Sequence, residues 1–189
     1  MSAILLTAPS VEPLTLAEAK AFLRVEHADD DDLIASLVAG ARGHVEAATR
    51  RALVTQTWRL FLDVWPESGC LEVLPAPLQA VVAARVHASD GAIELDPDVF
   101  VADSGRAPAV LAFAPRALPA PARARAGIEI DVRTGYGDAA VDAPEPLRQA
   151  LRLLLAHWYE NRGVVAGDGA GASPESVRAL IAPYRVLGL

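Results

Sequence analysis

The chain has a single cysteine, Cys70, in 189 residues. That excludes an internal disulfide framework and fits a reducing compartment. It has no continuous apolar run long enough to span a bilayer, so no membrane partner is expected. The first residues, Met1-Ser2-Ala3-Ile4-Leu5-Leu6, carry no basic stretch, which argues against a secretory signal. Positive charge is in short supply: 17 Lys and Arg stand against 24 Asp and Glu, a net charge of −7. Such a surface is a poor general grip for nucleic acid. It does suit a passage through which DNA slides without adhering. No internal repeat stands out.

Reactive constellations are missing too. The histidines His27, His44, His87 and His157 neither pair at helical spacing nor sit in a Cys/His ligand pattern. His157 and Glu160 share a helix face, but two ligands fall short of a metal site. The run Asp29 to Asp32 lacks the alternating oxygens, glycine and closing glutamate of a calcium loop, and reads as helix capping. Gly167-Asp168-Gly169-Ala170-Gly171-Ala172-Ser173 precedes a helix as a phosphate loop would, but lacks the lysine and reads as a mobile loop. There is no Gly-x-Ser-x-Gly elbow. Cys70, in a predicted strand without a neighbouring histidine, is expected to be a buried small hydrophobe. No catalytic, cofactor-binding or metal residue is therefore expected, and an interaction protein leads over an enzyme.

What is present is a core: 52% of residues are hydrophobic. Residues 14–53 read as two helices joined by an acidic elbow. Thr15 and Glu18 have the spacing of a capping box. Leu16, Ala19 and Leu23 recur at helical spacing. Ile34, Leu37, Val38, Ala41, Val45 and Ala48 form one stripe of the second helix, with Glu46 and Arg50 placed for an i,i+4 pair on the other face. From Thr55 the period becomes two. Strands are expected around residues 55–65, 70–74, 81–86, 92–95, 99–101, 110–113 and 128–133, as a small antiparallel sheet or sandwich. Residues 114–126 are expected to be an exposed loop carrying Arg116, Arg123 and Arg125, either solvated or facing phosphates or an acidic partner. Pro144-Glu145-Pro146 opens a third helix whose stripe Leu147, Leu151, Leu154 and Trp158 is widened by Leu153 and Leu155. Ser173-Pro174-Glu175 opens a last short helix with Val177, Leu180 and Ile181 on its apolar face. The expected class is α+β: a helical bundle of about four helices with an inserted small antiparallel β subdomain. The parts are 1–54 helical, 55–137 β-rich, 138–182 helical, and a tail over 183–189.

Several stretches, in order, resemble one family. They are residues 13–20, Leu23-Arg24-Val25, Asp31-Asp32-Leu33-Ile34 and the helix through Glu46 to Arg51. Thr134-Gly135-Tyr136-Gly137-Asp138, residues 144–150, residues 157–162 and Leu180-Ile181-Ala182-Pro183-Tyr184-Arg185 follow. They are similar to the head–tail connector (adaptor) proteins of tailed phages and gene transfer agents. The resemblance implies a structural subunit in a ring, typically of twelve, beneath the portal of the particle. That ring extends the DNA channel, without sequence-specific DNA binding, and docks the next neck or tail protein, such as a stopper. The implied partners are the chain itself, the portal and that neighbour. The implied location is the neck of the particle, with bacterial cytoplasm before assembly. Tyr184, Arg185, Val186, Leu187 and Leu189 are then candidates for portal docking, set against packing on their own subunit. Leu153, Leu155, Trp158, Tyr159 and Arg162 are candidates for the subunit interface. The competing readings are another neck or tail component (stopper or tail terminator) and a small metal-dependent enzyme using His157 and Glu160.

Overall fold

The computed structural model describes residues 1–161 and 174–186. The glycine-rich stretch, Arg162, Ser173, Leu187 and Leu189 lie outside the described residues. Among the described residues are four α-helices and two antiparallel sheets, which makes the class α+β. The chain divides into two compact units: Met1–Pro9 with Thr55–Gly135, and Ser10–Val54 with Tyr136–Leu189.

The first unit is built of strands. β1 (Ser2–Thr7), β2 (Gln56–Leu62), β3 (Cys70–Val73), β4 (Leu78–Ala88), β5 (Gly91–Leu95), β6 (Val101–Asp103), β7 (Ala109–Ala112) and β8 (Ile128–Thr134) follow in chain order. One sheet has the order β1-β2-β8-β4-β5 and the other β3-β7-β6. Strand alternation builds the core: Leu60, Leu62, Ile128, Ile130, Val132, Ala84 and Val86 pack with Leu71, Val73, Ala109 and Leu111. Trp65, Phe100 and Phe113 close this core as a tilted aromatic trio, with centroids 5.1 to 6.2 Å apart. The indole of Trp65 donates to the Pro119 carbonyl at 2.9 Å, which satisfies the one polar group that its burial would orphan.

Two expectations change here. Cys70 is exposed, because alternation sends Leu71 and Val73 of the same strand inward. Residues 2–7, expected to belong to the helical N-terminal part, pair with β2 and join the sheet. The 114–126 loop holds one 3-10 turn, Pro115–Ala117, and Arg116, Arg123 and Arg125 are exposed. Arg125 reaches Asp63 at 2.8 Å, and the N–H of Ala126 donates to the same carboxylate.

The opposite face of the five-stranded sheet carries charge. Arg59 grips Asp131 with two donors at 2.6 and 2.9 Å. Arg85 meets Glu94 and Glu129 at 2.9 and 3.2 Å, and His87 meets Glu129 at 2.8 Å. Burial works to raise the Glu129 carboxyl, but His87, Arg85 and Arg59 outweigh it and hold it below the ordinary glutamate value.

The second unit is helical: α1 (Leu16–Leu23), α2 (Asp31–Thr49), α3 (Glu145–Glu160) and α4 (Glu175–Ile181). The capping box forms in full. The Thr15 N–H donates to Glu18 at 2.9 Å and the Glu18 N–H donates to Thr15 Oγ1 at 3.2 Å. α1 and α2 both stop on an arginine in the left-handed region, Arg24 at φ 58° and Arg50 at φ 56°. With Arg50 turned out of the helix, Glu46 pairs with Arg42 at 2.9 Å instead of the expected Arg50. Glu46 also accepts the N–H of Leu53 at 2.8 Å. The acidic elbow works as a tie more than as a cap. Asp30, at the N-cap, makes no side-chain cap bond, and accepts from Tyr159 at 2.5 Å. Asp31 pairs with Lys20 at 2.5 Å.

Candidate functional site

The candidate positions lie on surfaces of the helical unit and at the C-terminal end of the described residues. No group of three metal-ligating side chains occurs among the described residues. Nor does any helix among them have the length and apolarity to cross a membrane. Glu160 is exposed, while the His157 ring sits half-buried with Asn161 Nδ2 3.4 Å from its Nδ1.

α3 is the element on which the helical unit turns. Its wide apolar face serves two clusters. Leu147, Ala150, Leu151 and Leu154 pack with Ala41, Val45, Leu53, Val177 and Ile181. Leu155 packs instead with Leu14, Ala19, Ile34 and Val38. The breadth seen in the sequence is therefore largely used within the chain, and Leu155, at 0% exposure, has no surface to offer a neighbour. Leu153, Trp158 and Tyr159 are half-buried. Trp158 stands edge-on to His44 with centroids 5.9 Å apart. Arg148, also on α3, is buried but fully engaged: it donates to the Pro13 carbonyl, Glu18 and Glu145 at 3.0, 2.6 and 3.1 Å.

The C-terminal candidates divide. Val186 is buried and its N–H donates to the Thr49 carbonyl at 3.0 Å. Tyr184 is half-buried, and its carbonyl accepts from Arg51 at 2.7 Å. Arg51 also donates to the Tyr136 hydroxyl at 3.1 Å. Arg185 is exposed. Leu187 and Leu189, like Arg162 at the other candidate surface, lie outside the described residues.

In the Gly135-Tyr136-Gly137-Asp138 motif the first three residues each have a structural reason. Gly135 holds φ 128°, and its N–H donates to the Pro77 carbonyl at 2.9 Å. Tyr136 anchors Arg51. A side chain at Gly137 would collide with the Asp142 carboxylate, which accepts the N–H of Ala139 at 2.8 Å. An open groove of about 560 Å³ is lined by Val11, Leu14, Leu16, Val38, Ala139 and Ala140. The sequence reading missed one further surface, the row Ile4, Leu5 and Leu6 on β1, each more than 40% exposed. Its signal was an uncharged apolar run without a periodic partner.

Among the described residues the helical unit combines a packed core with several half-exposed apolar positions. Residues 13–88 match the family model of the phage gp6-like head-tail connector protein. This is the family that the resemblance named. No curated protein sequence matches. Chains of solved structures do, and three of them each pair 100% of this chain with 97% of their own. One is the neck of an empty gene transfer agent particle computed with C6 symmetry, 27% identical with a TM-score of 0.84. Another is the virion of a native gene transfer agent particle, at 27% and 0.82. The third is the neck of a native particle computed with C12 symmetry, at 28% and 0.79.

Proposed function

We propose that this chain is a ring-forming adaptor subunit in the neck of a phage or gene transfer agent particle. Twelve copies sit beneath the portal, extend the DNA channel and dock the next neck or tail protein. The observation that carries this reading is whole-chain similarity to neck structures, one of them treated with twelvefold symmetry. The net charge of −7 supports a channel that DNA passes without sticking. We read the architecture as a helical bundle into which the β-rich residues between α2 and α3 are inserted. The proposed side contacts use Leu153, Trp158, Tyr159 and Arg162 of the α3 region, with Leu155 shaping that surface from beneath. The proposed portal contact uses Arg185, Leu187 and Leu189, held in place by the packing of Tyr184 and Val186.

Electron microscopy of particles made with and without the gene tests the reading. Loss of the protein is expected to leave filled or empty heads without tails, and its return to restore a ring at the vertex. Heads joined normally to tails in its absence would overturn it.

A further inference from the structure

Resting on the ring reading, we propose that the five-stranded sheet continues from one copy to the next, β5 of one subunit pairing in parallel with β1 of its neighbour.

The argument begins with an unprotected edge. Among the described residues β1 pairs only with β2, so one row of its backbone N–H and C=O groups is free of the sheet. All six of its residues are exposed. Met1 is 69% exposed, Ile4 47%, Leu5 44% and Leu6 41%. Soluble proteins guard such edges with charge, proline or a covering element. Ser-Ala-Ile-Leu-Leu-Thr has neither charge nor proline. An uncharged apolar edge of this kind fits an uncharged strand.

The other end of the same sheet supplies a strand with a single charge. Among the described residues β5 pairs only with β4, and its Gly91 to Glu94 are exposed, Ile93 at 42%. Its one charged side chain, Glu94, is turned back onto Arg85 at 2.9 Å. The lengths agree, six residues against five.

Direction selects this pairing over the alternatives. All four junctions in the order β1-β2-β8-β4-β5 are antiparallel, so β1 and β5 run the same way. In a cyclic ring every subunit points the same way along the axis, and a contact must join two different patches. Joining β5 to the next β1 meets both conditions. Joining β1 to β1 antiparallel is a two-fold contact and closes a dimer. The faces also match. Leu5 lies opposite Trp58, and Ile93 and Leu95 lie opposite Val86 and Ala84, all on the core side of the sheet. Pairing the edges extends that core across the junction and buries Leu5 and Ile93 together.

Cross-linking decides it. In a Cys70→Ser background, which removes the exposed native thiol, Leu5→Cys, Ile93→Cys and the double variant are each purified as full-length chains. They are treated with a short thiol-reactive cross-linker over a range of concentrations, and native mass is read in parallel. The double variant is expected to give a ladder up to the full ring, and each single variant no covalent dimer. Ile4→Glu, whose new carboxylate faces Arg59 across the strand pair, and Leu6→Glu are expected to keep the thermal midpoint and raise the concentration needed for rings about tenfold or more. Rings that form without the ladder overturn the edge pairing and leave the adaptor reading standing. A covalent dimer from Leu5→Cys alone overturns it in favour of the two-fold contact. A chain monomeric at every concentration also overturns it, and the adaptor reading is then judged on particles.

Discussion

Arg148 shows how much one side chain does here. Its planar guanidinium meets one carbonyl and two carboxylates at once, a set that a lysine ammonium cannot match in geometry. Arg148→Ala is expected to lower stability by about 2 kcal/mol, and Arg148→Lys to recover less than half of that, read by urea unfolding. The loss stays moderate because Glu18 and Glu145 remain partly exposed and water replaces the arginine. Glu18 carries a pH signature. The N–H of Thr15, above all, and then Arg148 hold its carboxyl below the ordinary glutamate value. A depressed carboxyl stabilises the fold above the unfolded value, near 4.3, and that stability disappears as pH falls through the folded one. Glu18→Gln is therefore expected to lower the unfolding midpoint at neutral pH and to converge with the parent chain as pH falls below the folded carboxyl value, so that the acid-side decline is flatter. At this scale the sequence was partly legible. Thr15 and Glu18 stand three apart, and local spacing alone predicts their bond. Two of the three partners of Arg148, Glu18 and Pro13, are 130 and 135 residues away in the chain, and no local pattern announces them.

Among the elements, β8 bears the most. It is the middle strand of five, with β2 on one side and β4 on the other. Ile130 at its centre has no exposed surface, and truncation to alanine is expected to cost about 3 kcal/mol, with partial unfolding visible by circular dichroism at 37 °C. Strand and helix positions were readable because the period switches from 3.6 to 2 at Thr55. Strand order was not, since hydrogen-bond partners such as β2 and β8 are separated by the whole β-rich segment. Cys70 shows the consequence. Its residue type favours burial, yet the inward phase of β3 belongs to Leu71 and Val73, and that phase is set by pairing with β7.

For the whole molecule, the terminal residues are the test of assembly. Removal of residues 187–189 is expected to leave the thermal midpoint within a degree or two and to abolish attachment to portal, measured by co-sedimentation. Extending the deletion back through Val186 removes a buried side chain and its bond to Thr49, so the midpoint is expected to fall as well, by roughly 1–2 kcal/mol of stability. A full loss of 183–189 would thus confuse docking with folding. Portal binding that survives the shorter deletion would assign attachment to another surface.

Local order in the chain determined the helices, most of the strands, the capping box and the likeness to head–tail connectors. Each of these depends on residues near one another or on composition. The tertiary structure alone decided that β1 forms an open edge, that α3 spends its second apolar side on Leu14, Ile34 and Val38, and that Val186 is seated against Thr49. Those outcomes depend on which distant segments meet, and hydrophobic periodicity says that a face will be buried without saying against what.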